Sequence, residues 1–503
     1  MNDEQWIRTD QRNVGVEMKS FNLVDEPWIT TNRGVLSLRA LFQESGTISL
    51  QESAIDRFCL LRFLIAVCQA ACPLETEEEW DELDDDGLKS AVLRYLEKNE
   101  ELFDLYDPER PFLQYPGIRS LKEEKALPVA AYVPGTSSGN TTVVFQNNCP
   151  RKIDDAAKAK VILQQCIMPF FRKKIDPGIV VMPGFQKGGS APVSSTLGQS
   201  GLLHTFALGK TFFETLRLTK MTDELLEQVA YVDEIGVPPW EQMPQEDDAV
   251  ARRLVRSVYG RLIPMARFCR IDGDRLHSTS GVTMQDVTTG HVDFSLTVGT
   301  AVDSKKQTYK VLPATVLQQP WRQLEAILNF CVPKPDWQCL VVRFANARSQ
   351  NPVGLWCFGV QVTFQTGVQF FGGRDDVIDS EIRFSDQFRL DLFYPRYLAE
   401  MSSLEKVSKR LCGATSGFFK ACGVGDDAKD RAARAQEQFW SVFGRKATEL
   451  IHACEVDDAE NLHVLICRTA LDIYDQNCPH RTPRQMLAWS HCRPSFADIY
   501  KRS

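Results

Sequence analysis

A short stretch near the middle of the chain combines residue types that suit close contact with a phosphate-bearing ligand. It spans 182–190, and its central residues are, in order, Gly184, Phe185, Gln186, Lys187, Gly188 and Gly189. Glycine has no Cβ, so it adopts positive φ readily and lets another molecule approach the backbone. Lysine supplies a charge that suits phosphate. Such stretches are also typical of plain surface loops, so both interpretations stay open at this point.

A second chemical feature is the segment 363–373, whose aromatic and polar residues predict a β-hairpin. Gln365 lies near the tip of this hairpin, between Phe364 and Thr366. A planar amide at such a tip could be pushed into a stack of bases. The alternative is an ordinary polar turn, which the single sequence favours.

A third candidate is the segment 140–148, whose amide side chains can both donate to and accept from base edges. Its candidate contact residues are Asn140, Thr141, Phe145, Gln146, Asn147 and Asn148. Basic residues crowd the same part of the chain: Arg151, Lys152, Lys158, Lys160, Arg172, Lys173, Lys174 and Lys187. They could neutralise phosphates, although charge runs are more often solvated helix faces.

The sequence patterns of common hydrolases are incomplete in this chain. A nucleophile elbow that begins at Gly198 would need a glycine at Leu202. A phosphate-binding P-loop that ends at 209–211 would need a glycine at His204. Neither pattern therefore supports an enzyme.

The sequence also gives little support for a metal site or a reactive thiol. None of the fifteen cysteines forms C-x-x-C, and the seven histidines lie far apart, so buried thiols are expected rather than a zinc site. Asp375, Asp376 and Glu381 faintly resemble a metal-dependent nuclease pattern, but a solvated turn is the more common reading of such carboxylates. We expect no cofactor and no metal.

Composition limits the classes of protein to consider. The length of 503 residues predicts two or three domains, and the net charge of −8 argues against a protein that coats nucleic acid by bulk charge. The acidic block 75–86 accounts for much of this charge, so local basic surface remains possible. No apolar run is long enough to span a bilayer, and the N-terminus is unlike a signal peptide, which predicts a cytoplasmic protein without membrane contact.

The pattern of apolar residues predicts an α+β fold. We expect helices over 56–71, 88–103 and 319–330, and strands over 21–29, 34–38, 141–145, 203–208, 266–271, 292–298, 339–344 and 355–362. After residue 388 the pattern changes to long amphipathic helices, which predicts an antiparallel bundle of about four helices. The predicted domains are a large mixed α+β domain, 1–387, and a C-terminal helical bundle, 388–503.

Several of these stretches together resemble the CasA family, the large subunit of the type I-E CRISPR surveillance complex Cascade. The N-terminal segment 21–29 (FNLVDEPWI) is similar to the family's first strand, and 110–114 (RPFLQ) resembles its HPFxQ loop. Residues 183–185 (PGF) match the start of the family's glycine loop. The segment 35–42, the apolar helix 58–72 and the pair Phe439-Trp440 extend the resemblance, in one order, over nearly the whole chain.

The resemblance implies a non-catalytic subunit that recognises the protospacer-adjacent motif in double-stranded DNA from the minor groove. It also implies that this subunit starts strand separation and helps to recruit a helicase-nuclease. The further partners that it implies are the CRISPR RNA and the backbone, small and 5′-end-capping subunits of the complex. Protein would read the short motif, and base pairing would read the rest of the target.

By position, the resemblance assigns a role to each candidate segment. Residues 184–189 would enter the minor groove, and Gln365, flanked by Phe364 and Thr366, would be the wedge that splits the first base pair. Residues 140–148 would contact the RNA and the backbone of the complex. Basic residues of the bundle would guide the displaced strand: Lys406, Lys409, Arg410, Arg434, Arg445 and Lys446.

Some points stay open at the level of sequence. Lys187 stands where the family's loop has its last glycine, so the preferred bases of the motif are not fixed. Two alternative functions also remain: a metal-dependent nuclease that uses Asp375, Asp376 and Glu381, and a scaffold that only docks a partner nuclease.

Overall fold

The structure is a computed structural model. It describes residues 19–120, 126–132, 153–170, 194–229, 231–244, 248–282, 292–299, 309–365, 368–371, 377–425 and 427–500. Within these ranges the chain is mixed α and β up to residue 382 and helical from residue 390, which confirms the predicted α+β class.

The strands are short and pair in five small antiparallel sheets. They are β1 (Ile29–Thr31), β2 (Gly34–Leu36), β3 (Leu127–Pro128), β4 (Leu203–Leu208), β5 (Arg267–Asp272), β6 (Arg275–Ser280), β7 (Thr297–Gly299), β8 (Trp337–Cys339), β9 (Gly354–Val360), β10 (Thr363–Gln365), β11 (Val368–Phe370) and β12 (Val377–Ile382). The sheet orders are β1-β2, β3-β6-β5, β7-β8, β12-β9-β4 and β10-β11.

The helices of the first 348 residues surround these sheets. They are α1 (Leu38–Gln43), α2 (Ala54–Ala71), α3 (Glu77–Glu82), α4 (Asp85–Lys98), α5 (Asp155–Ile167), α6 (Phe212–Leu218), α7 (Asp223–Leu226), α8 (Asp248–Arg256), α9 (Val258–Leu262), α10 (Leu324–Ile327) and α11 (Leu340–Arg348). The C-terminal helices are α12 (Leu390–Ala421), α13 (Asp427–Arg445), α14 (Ala447–Val456), α15 (Ala459–Asn477) and α16 (Pro483–Cys492). No helix in the described ranges is both long and apolar enough to cross a membrane.

Helix α2 lies at the centre of the first core. Its sequence is apolar on every side, which is typical of a helix that is buried all round. The Ser53 side chain caps its first turn by accepting from the Asp56 amide. At its other end the fully buried Lys220 ammonium donates to the carbonyls of Cys68 (3.0 Å) and Cys72 (2.5 Å), and the Cys68 carbonyl also accepts from the Cys72 amide.

Strand β9 joins the two halves of the molecule. All seven of its residues are buried, so it reads as a continuous apolar run rather than an alternating one. Trp356 and Phe358 belong to the core around α2, where Phe358 stacks on Phe58 with 4.5 Å between ring centroids. Leu355 and Cys357 belong to the core of the C-terminal helices. Because successive residues of a strand point to opposite faces, one strand serves both cores.

The C-terminal helices agree with the predicted bundle. Helices α12 to α15 pack on one another, and α16 adds a fifth helix against α12. The predicted boundary between residues 387 and 388 stays a prediction, since the bundle core also includes Trp321, Leu324 and Ile327. The Tyr397 hydroxyl of α12 donates to the Trp321 carbonyl at 2.7 Å across this junction.

Four of the predicted elements are wrong in type or extent. Of the predicted strand 21–29 only Ile29 lies in a strand, β1, and the residues before it form turns and irregular structure. Of the segment 339–344, predicted as a strand, only Cys339 lies in a strand, β8, and residues 340–344 begin helix α11, because a short apolar run fits a buried helix equally well. The predicted helix 319–330 is a series of three short helical turns. Of the predicted strand 292–298 only 297–298 lie in a strand, β7. Strand 141–145 lies outside the described residues.

Candidate nucleic-acid interface

The structure describes only part of the candidate site. Outside the described residues lie Gly184, Phe185, Gln186, Lys187, Gly188 and Gly189 of the glycine segment, the whole of 140–148, and Thr366, Asp375 and Asp376. The roles that the sequence assigns to these residues stay predictions. Gln365, Phe364 and the six basic residues of the bundle are described.

The predicted hairpin around Gln365 is present. Strands β10 and β11 are antiparallel and pair Phe364 with Gln369 and Gln365 with Val368, so two residues connect them. Gln365 is the last residue of β10, and its side chain is exposed, as is that of Thr363 two residues earlier. Phe364 is half-buried. Alternation along the strand therefore presents Gln365 to the outside and turns Phe364 inward.

The inward face of the hairpin is anchored by a residue that the sequence interpretation missed. Gln369 pairs with Phe364 across the strands, so the two side chains share a face. Its side chain is fully buried, and its Nε2 donates to the carbonyls of Gly198 (2.6 Å) and Gln199 (3.0 Å). These carbonyls belong to the turn 194–201, so the hairpin is bonded to this turn.

The same turn is the described flank of the segment that contains the glycine stretch. The described chain stops at 170 and resumes at 194. Next to these ends, the Thr196 hydroxyl donates to the Ile167 carbonyl at 2.6 Å. Phe170 packs edge-on against Phe371, directly after β11, with 5.4 Å between ring centroids. Both flanks of the segment 171–193 therefore lie at the base of the Gln365 hairpin.

Gly201 allows this turn to approach the sheet. Its φ is +108°, and a Cβ at this position would lie 2.0 Å from the carbonyl oxygen of Val360 at the end of β9. The Val362 amide, just before β10, donates to the Ser200 carbonyl at 3.2 Å. Only glycine combines this backbone conformation with so close an approach.

A buried polar network supports the other side of the turn. His204 Nε2 donates to the Thr196 carbonyl at 2.6 Å, and Nδ1 lies 2.7 Å from the Ser295 hydroxyl oxygen. The single proton of this hydroxyl is shared between His204 Nδ1 and Asp293 Oδ1, which also lies 2.7 Å away. Asp293 Oδ1 accepts from the Ser295 amide at 2.9 Å, and Asp293 Oδ2 lies 2.5 Å from Arg62 Nη1 of helix α2. The network links the turn to α2 and to β4.

The protonation states in this network follow from burial and from the neighbouring charges. Burial lowers the pKa of His204 to about 4, although the nearby Asp293 opposes the shift. Burial alone would raise the pKa of Asp293, but the Arg62 guanidinium and His204 outweigh it and lower that pKa to about 2. At neutral pH the network therefore contains a neutral imidazole and an Asp293–Arg62 ion pair.

The basic residues of the bundle fall into two groups. Four of the side chains already interact within the chain: Lys409 with Glu405, Arg410 with Asp498, Arg445 with Ser441, and Lys446 with Glu449. Lys406 and Arg434 are exposed, and neither has an ion-pair partner in the described part of the chain. These two are the better candidates for contact with a nucleic-acid strand.

Two lysines that the sequence offered as phosphate contacts have structural roles instead. Lys158 is buried, and its ammonium lies 2.8 Å from Asp274 Oδ1 and 2.9 Å from the Gly273 carbonyl. Lys160 lies 2.6 Å from Glu52. Both charges are neutralised inside the fold, so the interpretation of these lysines as phosphate contacts was wrong.

Glu381, the described residue of the nuclease pattern, also forms ion pairs within the fold. Glu381 on β12 forms an ion pair with Arg57 of helix α2, and Arg383 lies 3.8 Å from its other oxygen. The guanidinium of Arg57 also stacks over the Trp356 ring at 4.3 Å. In the described ranges no three or more His, Cys, Asp or Glu side chains are grouped so that they could hold a metal ion.

Comparison with known proteins agrees with the arrangement of a mixed N-terminal part and a helical C-terminal part. The sequence model of the family described as CRISPR-associated protein Cse1 matches residues 22–473. The chain therefore belongs to the Cse1 (CasA) family, the large subunit of the type I-E Cascade complex.

Individual relatives are distant in sequence. CRISPR-associated protein CasA/Cse1 of Thermus thermophilus is 28% identical over 243 residues, which cover 45% of this chain and 43% of that protein. The match thus spans less than half the length of this curated relative. The crystal structure of Cse1 from Acidimicrobium ferrooxidans has the same fold, with a TM-score of 0.71 at 16% identity over 96% of this chain and 98% of that chain.

A further structural neighbour comes from an assembled complex. A chain of a structure described as a CRISPR RNA-guided surveillance complex matches with a TM-score of 0.66 at 16% identity, covering 96% of this chain and all of that chain. At this identity the likeness shows that the two chains share a fold.

Proposed function

We propose that this chain recognises the protospacer-adjacent motif in double-stranded DNA and starts strand separation with the Gln365 hairpin. The observation that carries the proposal is the hairpin itself: Gln365 is exposed at its tip, while the opposite face is bonded to the flank of the glycine segment. A motif reader and a wedge have to act at adjacent base pairs. The two segments therefore need to be held by the same part of the protein.

The chemistry of Gln365 suits a wedge. Its side chain is planar and neutral, so it can replace a base in a stack without bringing a charge into the duplex. Opening one base-pair step costs on average about 1.4 kcal/mol of stacking. A wedge can supply this free energy only if its own backbone does not yield, and the inward face of the hairpin is anchored by Gln369 and Phe371.

The glycine segment suits the motif-reading role. Residues 184–189 combine three glycines, which fit a narrow minor groove, with Lys187, whose charge can face a phosphate. Residues 140–148 are then left to contact the CRISPR RNA and the neighbouring subunits. We assign the displaced strand to Lys406 and Arg434 first, because their charges are not neutralised by nearby carboxylates. The helicase-nuclease would dock on the assembled complex in the cytoplasm.

The test compares two DNA targets in the assembled complex. We expect Gln365→Ala to weaken binding of a fully paired target by about tenfold, the factor that corresponds to one stacking step. A target that is already unpaired beside the motif should bind to this variant as it does to the wild type. The matched control is Thr363→Ala, because Thr363 is exposed on the same face of the same strand.

The two targets also separate this function from the alternatives. Equal loss of affinity on both targets would rule out the wedge role. A scaffold that only docks a nuclease would bind all motif sequences equally, so binding to a library of randomised motifs distinguishes it. A nuclease would cleave DNA when the purified chain is incubated with Mg²⁺ or Mn²⁺.

A further inference from the structure

A second glutamine of the hairpin takes no part in the proposed contacts with DNA. Gln369 is fully buried, and its Nε2 donates two hydrogen bonds to backbone carbonyls of the turn 194–201. Methionine has a similar size and no hydrogen-bond donor. The amide therefore has a role that depends on its donors, because a buried donor is costly unless it is bonded.

The hairpin needs such a bond more than most strands do. Its strands have three residues each, and among the described strands they pair only with each other. An isolated two-stranded hairpin is marginally stable in water. Its position on the protein therefore depends on contacts with other elements, among them the Gln369 amide bonds and the packing of Phe371 on Phe170.

We propose that Gln369 is a positioning residue for strand separation. It bonds the hairpin to the turn 194–201 and so holds Gln365 in a fixed position while Gln365 inserts into the DNA. The inference rests on the function proposed above. It predicts that loss of the Gln369 donors affects the opening of DNA more than the binding of DNA that is already open.

The experiment uses the assembled complex that carries Gln369→Met, which has a similar size and no donor. We expect the rate of target opening to fall about tenfold, a factor in the range of the loss of one or two buried hydrogen bonds. Affinity for a pre-opened target should stay within about twofold of the wild type. Phe371→Leu, which weakens the other anchor, should reduce the rate in the same direction.

The matched control is Gln361→Met. Gln361 also uses its side-chain amide to bond a backbone group, since its Oε1 accepts from the Val316 amide at 3.0 Å, but it lies before the hairpin. We expect this variant to open DNA at the wild-type rate. Thermal unfolding of both methionine variants shows whether either has lost its fold.

Gln365→Ala, measured in parallel, separates the two proposals. If Gln365→Ala is defective in opening while Gln369→Met and Phe371→Leu open DNA at the wild-type rate, the positioning role is overturned and the wedge stands. If Gln369→Met loses affinity for paired and pre-opened targets equally, its role is structural only, which also overturns the inference. If Gln365→Ala opens DNA normally, the wedge itself is wrong.

Discussion

Gln365 and Gln369 lie four positions apart on one hairpin and have opposite environments. The first is exposed at the end of β10, and the second is buried and bonded to the turn 194–201. The sequence made Gln365 a candidate because a polar residue near a hairpin tip is expected to be accessible. Gln369 was missed because the sequence does not say which face of an isolated hairpin meets the body of the protein. Its only signal was a polar residue directly before two phenylalanines.

His204 provides a test at the residue scale, because its pKa is lowered to about 4 by burial. In the unfolded chain a histidine titrates near 6.5, so between pH 6.5 and pH 4 the unfolded state binds more protons than the folded state. Stability is therefore expected to fall through this window, by roughly 3 kcal/mol in total. The loss linked to Asp293 comes later, below its ordinary pKa of about 3.8, because its folded pKa is about 2.

Urea unfolding at several pH values measures this effect. We expect His204→Gln to be less stable than the wild type at pH 7 and to lose less stability between pH 6.5 and pH 4. His452→Gln is the control, because His452 is exposed on α14. A wild-type pH dependence in His204→Gln would show that the buried imidazole is not the group that titrates.

At the scale of elements, the turn 194–201 is the piece that brings the candidate site together. It bonds the hairpin through Gln369, contacts the end of α5 through Thr196 and approaches β9 at Gly201. The sequence predicted a loop with a role in this part of the chain, but not this turn. Three glycine and serine residues among 198–201 favour irregular structure, and composition does not show which strand such a turn contacts.

Alanine substitutions of Gly201 and Gly413 test the role of the turn, because one glycine lies in the turn and the other lies in a helix. Gly201→Ala should lower the free energy of unfolding by at least about 2 kcal/mol, since φ is positive and the new Cβ would collide with the Val360 carbonyl. Gly413→Ala should raise it by about 0.5–1 kcal/mol, because Gly413 lies inside helix α12 with open space around it. Denaturant unfolding measures both changes, and destabilisation by Gly413→Ala or neutrality of Gly201→Ala would contradict this view of the turn.

Elements with a strong periodic pattern were predictable, and short apolar runs were not. Helix α2, strand β4, the hairpin and the start of the bundle at residue 390 agree with the predictions, because long apolar or amphipathic patterns and turn residues define them locally. The prediction for 339–344 was wrong because a run of five apolar residues and one arginine fits a strand or a helix, and only tertiary packing decides. The ion pairs of Lys158 and Lys160 involve Asp274 and Glu52, which are more than a hundred positions away from them. No local sequence pattern predicts such partners.

At the scale of the whole molecule, the sheet β12-β9-β4 and the bundle form one hydrophobic core. Leu203, Leu355 and Ile378 of this sheet share that core with Tyr397 and Phe439 of the bundle. The other face of the sheet packs on α2. A shared core of this kind would keep the bundle and the hairpin in a fixed relative position. The proposed contacts with the displaced strand and with the duplex could then be made at the same time.

Leu355→Ala tests this shared core. Leu355 is fully buried, and its removal should cost about 2–5 kcal/mol. Because the sheet supports both cores, hydrogen exchange should accelerate in peptides from α2 as well as in peptides from α13. Acceleration confined to the bundle peptides would show that the two parts unfold independently.

The central claim is that the Gln365 hairpin opens the first base pair beside the motif. A fluorescent base analogue, 2-aminopurine, placed in that pair reports its unstacking directly after the assembled complex is mixed with paired DNA. The account predicts that the wild type and Thr363→Ala unstack the analogue at the same rate and that Gln365→Ala does so about tenfold more slowly. An equal rate in Gln365→Ala and the wild type would contradict it.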